Sequence, residues 1–239
     1  MNGREALRIA RQIESSKGIK VYRQTANLTR SYQIMCMNFD DLAKLLAWFS
    51  VPTNAIPVFN VDHPERMNNF WLLASRHLHN YLASVQTLID HMRRFIGKET
   101  HVEFKKQYEL RLKDLTKSPL SSLIPDLRSY FLHNDIPPIG CVLSAKKGGD
   151  TETYISLDCA ELLKWDRWKP SSRDYLTKAG SSLKILDVLR QYQSMTSDFF
   201  TWFHTELLRT YKAELDELSE LNKRLGALSP RNESKGLGT

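Results

Sequence analysis

Apolar residues recur at Trp71, Ala74, Leu78, Tyr81, Val85, Leu88, Met92 and Phe95, in steps that alternate between three and four. This is the stripe of a long helix packed against partners. It predicts a helix over 63–96, with Pro64 in its first turn and Gly97 as its stop. A second helix is predicted over 101–116. A third starts at Ser118, an N-cap candidate followed by Pro119, and runs to about His133. Pro125 lies inside that span, so the helix either kinks there or restarts with Pro125 in its own first turn. Asp135, Pro137 and Pro138 forbid its continuation.

Residues 2–14 read as a short amphipathic helix that stops at the Ser15–Gly18 cluster. The stretch 19–38 mixes β-branched and polar residues and takes no firm assignment. Asp40 to Phe49 reads as a helix ended before Pro52, because a proline pushes the residue before it out of the α region. Farther on, Cys141-Val-Leu-Ser-Ala145 and Thr151-Glu-Thr-Tyr-Ile-Ser156 are β-prone runs around Gly148-Gly149, which predicts a hairpin over about 140–157. No phosphate-loop pattern surrounds those glycines. A short helix over Asp158–Lys164 and a Pro/Ser/Arg-rich connection over 169–174 come next. From about Ser181 a second long stripe begins with Ile185, Leu189, Tyr192, Phe199 and Phe203. It continues through Leu208, Tyr211, Leu215, Leu218 and Leu225, over about 181–226, as one bent helix or two nearly in line. Its charged last third has the pattern of a self-association surface or a solvated face. The tail, 229–239, has no periodicity and is expected to be disordered. The expected fold is therefore mainly all-α: a single helical domain over 1–228, built as a long-helix bundle with one small β-hairpin insertion.

Composition narrows the function only modestly. Of 239 residues, 41% are apolar and 26% charged, as in ordinary globular proteins. Lys and Arg total 34 against 27 acids, a net charge of +7. That fits a polyanionic partner without demanding one, and the basic residues are so spread that folding must assemble any positive surface. Cys36, Cys141 and Cys159 are too few and too scattered for a zinc ribbon or a disulfide framework, and read as reduced, buried thiols. The charged N-terminus lacks the apolar stretch of a signal peptide, and no apolar run is long enough for a bilayer. The expectation is a cytoplasmic protein with no membrane partner.

The helix ending at His133 carries the candidate chemistry. At about 100° per residue, Ser129 and His133 fall within roughly 40° of each other, on a face opposite Phe131 and away from the core. Arg128 is about 140° from His133. Its side chain is long enough to reach round, and His133 sits in a final turn that can distort. An Arg, a hydroxyl and a His converge here if a second surface covers them, as a homodimer interface would. The plainer alternative is that His133 complements the helix C-terminal dipole and Arg128 is a surface charge. His77 approaches this helix if the helix over 63–96 packs on it. His77 and His79, two apart, point to nearly opposite sides of their helix and do not form a metal pair. No metal or cofactor is expected. Trp71, Phe199, Trp202 and Phe203 fall at helical spacing and read as core.

Arg128-Ser-Tyr-Phe-Leu-His133, followed by Asn134 and Pro137-Pro138, resembles the Arg-polar-x-x-x-His signature of the HEPN superfamily of small helical ribonucleases. It is especially similar to bacterial members whose motif precedes a proline-containing loop. The resemblance implies a long antiparallel helix pair as the body, the motif on a later helix, and two motifs facing each other across a dimer. It implies metal-independent endoribonuclease activity with the RNA 2′-hydroxyl as nucleophile. His133 would move the proton, Arg128 would hold the scissile phosphate, and Ser129 would assist, with Asn134 and His77 contacting RNA. Ser129 stands where the family more often has Asn, Asp or His, and it reaches less far. A toxin or phage-defence role, with an antitoxin or regulatory protein as partner, comes from the superfamily alone. The alternative is a non-catalytic helical module that binds RNA or a protein.

Overall fold

The computed structural model describes residues 2–145 and 151–228. The fold is mainly α, with a small three-stranded antiparallel sheet. The first six helices are α1 (Asn2–Ser15), α2 (Lys17–Phe49), α3 (Pro52–Ala55), α4 (Pro64–Gly97), α5 (Val102–Leu115) and α6 (Leu120–His133). Strands β1 (Ile139–Ala145) and β2 (Thr151–Asp158) are followed by α7 (Cys159–Leu162), α8 (Pro170–Ala179), β3 (Ser182–Lys184), α9 (Ile185–Thr210) and α10 (Lys212–Leu228). The expected Gly148-Gly149 turn and the expected disordered tail lie outside the described residues. The chain divides into two compact units, one formed by Leu28–Phe203 and the other by the residues up to Asn27 together with those from His204 onward.

In the Leu28–Phe203 unit, the long helices sort by which residues meet. Ser31 Oγ lies 2.7 Å from His91 Nδ1, the Phe39 and Tyr81 rings are 5.7 Å apart, and those of Phe49 and Phe70 are 4.7 Å apart. As α2 advances its α4 partners retreat, so these two helices are antiparallel. Tyr81 donates to Gln193 Oε1 at 3.1 Å, and Phe95 meets the edge of Phe203 at 5.8 Å, so α9 runs parallel to α4. Phe104 and Tyr108 of α5 reach Phe203 and Phe199 in reverse order, which makes α5 antiparallel to α9. Aromatic rings supply much of this core, each burying a large apolar area.

The sheet has the order β1-β2-β3, with Cys141 opposite Ile155 and Leu157 opposite Leu183. The buried Thr153 hydroxyl donates to the Phe49 carbonyl at 2.9 Å and so satisfies one of the acceptors left open at the C-terminus of α2. Asp158 caps α7 by accepting from the Glu161 N–H at 3.0 Å.

The other unit is held by Ile9 and Ile13 of α1 packed with Leu218 and Leu221 of α10. Only Ser16 separates α1 from α2. Its Oγ donates to the Ile13 carbonyl at 2.8 Å and accepts from the Ile19 N–H at 3.1 Å, closing one helix and capping the next. Glu14 and Arg23 form a two-pronged exposed pair at 2.7 and 2.8 Å, which holds the Glu14 carboxyl below its usual range through hydrogen bonding first and charge second.

Several expectations need correction. The stretch 19–38 is helical throughout. Ser118 does not cap α6: Pro119 occupies that position, and its carbonyl accepts from the Leu123 N–H at 2.9 Å. Of the two outcomes open at Pro125, the restart does not occur, since the proline stays inside one continuous helix. Residues 170–179 are the helix α8 and not a connection. Its N-terminus is satisfied from outside its own sequence, by Asp126 of α6, and its end is marked by Gly180 at φ +82°, a conformation that suits glycine. The stretch after Ser181 begins as the short strand β3 and not as helix; of the two forms open for the rest, it takes that of two helices, α9 and α10, which meet at Tyr211. The charged last third of the stripe is not bare, since its apolar side packs on α1. Among the described residues no single helix is long and apolar enough to cross a membrane.

The three cysteines are free thiols. Burial pushes the Cys141 thiol up to about 12 and also raises that of Cys159, where the Asp158 carboxylate adds to the effect. At pH 8 the native Cys141 thiolate is thus rarer than in an unfolded chain by about three orders of magnitude, an effect that its greater intrinsic nucleophilicity partly offsets. Iodoacetamide should therefore modify Cys141 at least roughly tenfold more slowly in the native protein than in urea. Mass spectrometry of timed samples reads this directly, and equal rates would contradict the burial.

Candidate functional site

Helix α6 owes its placement to one apolar side. Leu120, Leu123, Ile124, Leu127 and Tyr130 are buried. Tyr130 stacks on Trp168 with ring centroids 5.8 Å apart and meets Trp165 edge-on at 5.5 Å. Asp126 is buried with them, only 5% exposed, and its Oδ2 accepts from the Lys169 N–H at 3.0 Å and the Ser172 hydroxyl at 2.7 Å. Lys169 Nζ lies 3.1 Å from Oδ1. This carboxylate fastens α6 to the start of α8.

The opposite side carries the motif. Arg128 is about 200° round the helix from Asp126, so the nearest carboxylate in sequence is turned away and already engaged. Arg128 is half-buried, and its Nε is enclosed with no hydrogen-bond partner among the described residues. An unsatisfied buried donor costs about 1–3 kcal/mol, and more when it carries charge. Ser129 donates its hydroxyl to the Pro125 carbonyl at 3.1 Å, which leaves its oxygen lone pairs to accept. His133, in the last turn, is exposed and makes no hydrogen bond or ion pair among the described residues.

The helix stops in an ordered way. The Asn134 and Asp135 N–H groups both donate to the Tyr130 carbonyl, at 2.9 and 3.2 Å. Asp135 Oδ1 takes the Ile136 N–H at 2.7 Å, and the Pro138 carbonyl takes the Asp158 N–H at 2.9 Å, tying the loop to the sheet. The Asn134 side chain is left exposed beside His133.

Helix α4 packs on α6. The ring that meets the motif helix is His79, edge-on to Phe131 at 5.1 Å. His77, half-buried, instead accepts from Arg76 at 3.3 Å through Nε2, since a guanidinium has only donors. Sequence reasoning singled out His77 and passed over His79. The two flank the apolar stripe of α4 on opposite sides, and periodicity does not say on which side α6 lies. Phe131 itself is only half-buried, and Tyr130 takes the deeper position.

Chemically, this end of α6 offers an unpaired guanidinium, a free imidazole, a hydroxyl oxygen and an exposed amide, with no carboxylate neutralising the cation. A guanidinium of this kind can receive a phosphate and an imidazole can move a proton, but the two stand about 140° apart on α6 and no contact among the described residues joins them. Among the described residues no group of three or more His, Cys, Asp or Glu side chains gathers as a metal ion needs. Compared with known protein families, curated proteins and solved structures, the chain matches none.

Proposed function

We propose that the protein is a metal-independent endoribonuclease of the HEPN type, acting on RNA in the cytoplasm as a homodimer, with α6 supplying the reacting groups. One observation carries the reading: on a single helix, Arg128 holds an enclosed but unpaired Nε while His133 stands free at the exposed end. A guanidinium with no carboxylate to neutralise it suits a phosphate, and an unengaged imidazole suits proton transfer.

In the proposed reaction a His133 ring nitrogen takes the proton of a ribose 2′-hydroxyl. The 2′-oxygen attacks the adjacent phosphorus, the bond from phosphorus to the 5′-oxygen breaks, and that oxygen leaves with a proton returned by the imidazolium of His133. The products are a 2′,3′-cyclic phosphate and a 5′-hydroxyl. Arg128 holds the phosphate oxygens as charge builds on them. Ser129 turns its hydroxyl from the Pro125 carbonyl to assist, and Asn134 contacts the RNA. The biological setting, a toxin or a phage-defence factor held by a regulatory protein, belongs to the same proposal.

The second reading is a non-catalytic module that binds RNA or a protein. It is favoured by the Ser129 hydroxyl being spent inside the helix and by the wide angle between Arg128 and His133. Incubating the purified protein with labelled RNA in EDTA separates the two. Under the first reading RNA is cut, and His133→Ala and Arg128→Ala each slow cutting by at least roughly a hundredfold. RNA bound but uncut supports the second reading, and cutting that survives both substitutions removes α6 from the chemistry.

A further inference from the structure

The outer face of α1 is a second cationic feature, built independently of α6. At about 100° per residue, Arg4, Leu7, Arg8, Arg11 and Ser15 share an arc of roughly 100°. That arc is centred well over 120° from Ile9 and Ile13, the side chains buried against α10. Arg4, Arg8 and Arg11 thus stand on successive turns, spanning about 10 Å along the axis. Together with Leu7, Gln12 and Ser15 they line a shallow depression of ≈ 470 Å³.

Little in this stretch of the chain neutralises them. Between Gly3 and Asn27 the chain has six cations, Arg4, Arg8, Arg11, Lys17, Lys20 and Arg23, against two acids, Glu5 and Glu14. Glu14 is taken up by Arg23, and Lys17 pairs with Glu214 at 2.8 Å. Glu5 meets Arg8 at 3.3 Å, an exposed contact that water and salt screen. Arg4 and Arg11 have no carboxylate partner among the described residues.

We propose that this face binds the phosphodiester backbone of a nucleic acid through Arg4, Arg8 and Arg11. Two competing occupants fit less well. An anionic membrane is met by basic amphipathic helices that insert an apolar side, but the apolar side of α1 is occupied by Leu218 and Leu221. Only Leu7, 62% exposed, remains on the cationic face. The acidic residues of α10 in a second copy carry the right charge. However, three of its four carboxylates already have partners, Asp216 with Lys212, Glu220 with Lys223 and Glu214 with Lys17, so docking there would mostly exchange one set of pairs for another and leave Glu217 alone to add attraction. Nucleic-acid phosphates bring no such internal partners, and binding them releases condensed counterions. The inference does not rest on the chemistry assigned to α6.

The test measures fluorescence anisotropy of labelled single-stranded DNA and RNA with the full-length protein over a salt series. DNA lacks the 2′-hydroxyl the α6 reaction needs, so it isolates binding from cleavage. Wild type should bind both, and substituting Arg4, Arg8 and Arg11 together by glutamine should flatten the plot of log affinity against log salt by about 2. It should also weaken binding at least tenfold at low salt, roughly what losing these phosphate contacts implies. The triple lysine variant, which keeps the charge, should keep most of the slope, while an unchanged thermal melt of the glutamine variant shows that the fold is intact. An unchanged slope in the glutamine variant overturns the proposal, as does absence of DNA and RNA binding at low salt. So does an arginine-dependent affinity confined to phosphatidylserine vesicles, or to a second copy of the chain. DNA binding that follows the arginines without any RNA cleavage refutes the α6 reading alone, whereas RNA cleavage with an unaltered slope refutes this one alone.

Discussion

Replacing Asp126 with alanine is expected to destabilise the Leu28–Phe203 unit by about 3–6 kcal/mol, from two hydrogen bonds to a charged group at roughly 1.5–3 kcal/mol each. Helix α8 has no side-chain cap of its own: Lys169 stands at the N-cap and Pro170 at the first helical position. The Asp126 carboxylate reaches across from α6 to take the Lys169 N–H and the fully buried Ser172 hydroxyl, placing negative charge at the helix N-terminus, where the dipole favours it. Without it, the buried Ser172 hydroxyl and the partly buried Lys169 N–H lose their acceptor. The ion pair with Lys169 Nζ matters less. That side chain is 59% exposed and solvent-screened, so Lys169→Ala should cost no more than about 1 kcal/mol. Asp126→Asn retains one acceptor oxygen and should fall between the two. Urea denaturation of the three variants gives the ranking, and an Asp126→Ala midpoint equal to wild type would show that the carboxylate does not hold the helices together.

That interaction also marks where the sequence stops being informative. The dipeptide Lys169-Pro170 followed by serines looks like a connection because the group that caps the helix lies 43 residues upstream. Strand β3 is illegible in the sequence for a related reason. Three residues carry no period, and Leu183 becomes a strand residue only by pairing with Leu157. By contrast α4, with its unbroken three-four alternation, was legible to within a residue at each end. The missed part of α2 is more instructive. Val21, Leu28, Met35, Leu42 and Phe49 recur every seven residues and are all buried, as are Thr25 and Leu46 of a second row four positions on. The signal was present. Thr25 and Gly18 break the apolar register of the second row, and the β-branched residues in this stretch fit strand as well as helix when read locally.

The candidate site was legible to the same depth. Its position on α6, the exposure of His133 and the sharp stop after it follow from periodicity and from Pro137-Pro138. The enclosure of Arg128 Nε does not, because it depends on neighbours brought up by tertiary packing. Nor does the spending of the Ser129 hydroxyl on Pro125. A serine four residues after a proline always has the option of bonding back into its own helix, and only the rotamer decides. The choice between His77 and His79 likewise required knowing which flank of α4 meets α6. What the sequence carried was the angular arrangement on one helix, and what it lacked was every contact made across helices.

Gly18 puts two opposing effects of known size against each other. Inside an exposed helix, glycine to alanine stabilises by about 0.5–1 kcal/mol through reduced backbone entropy. Gly18 is buried in the first turn of α2, and a Cβ there would sit 2.2 Å from the Glu214 carbonyl oxygen and 2.9 Å from Leu218 Cβ. The first of those is backbone and cannot swing aside, so α10 would have to move away. Overpacking of this kind typically costs about 1–3 kcal/mol, and more when the obstacle is main chain. The displaced side chain, Leu218, is one of the four that form the core between α1 and α10. Steric exclusion should therefore win: Gly18→Ala is expected to destabilise this unit by about 2 kcal/mol, and Gly18→Val by roughly 3 kcal/mol or more. Hydrogen exchange resolves where the loss falls. Amides of α1 and α10 should exchange faster in the variants, while those in the middle of α4, around Leu78–Leu88, keep their protection. Slower exchange in α1 and α10 would mean that helix propensity governs Gly18 and that α10 does not approach α2 this closely.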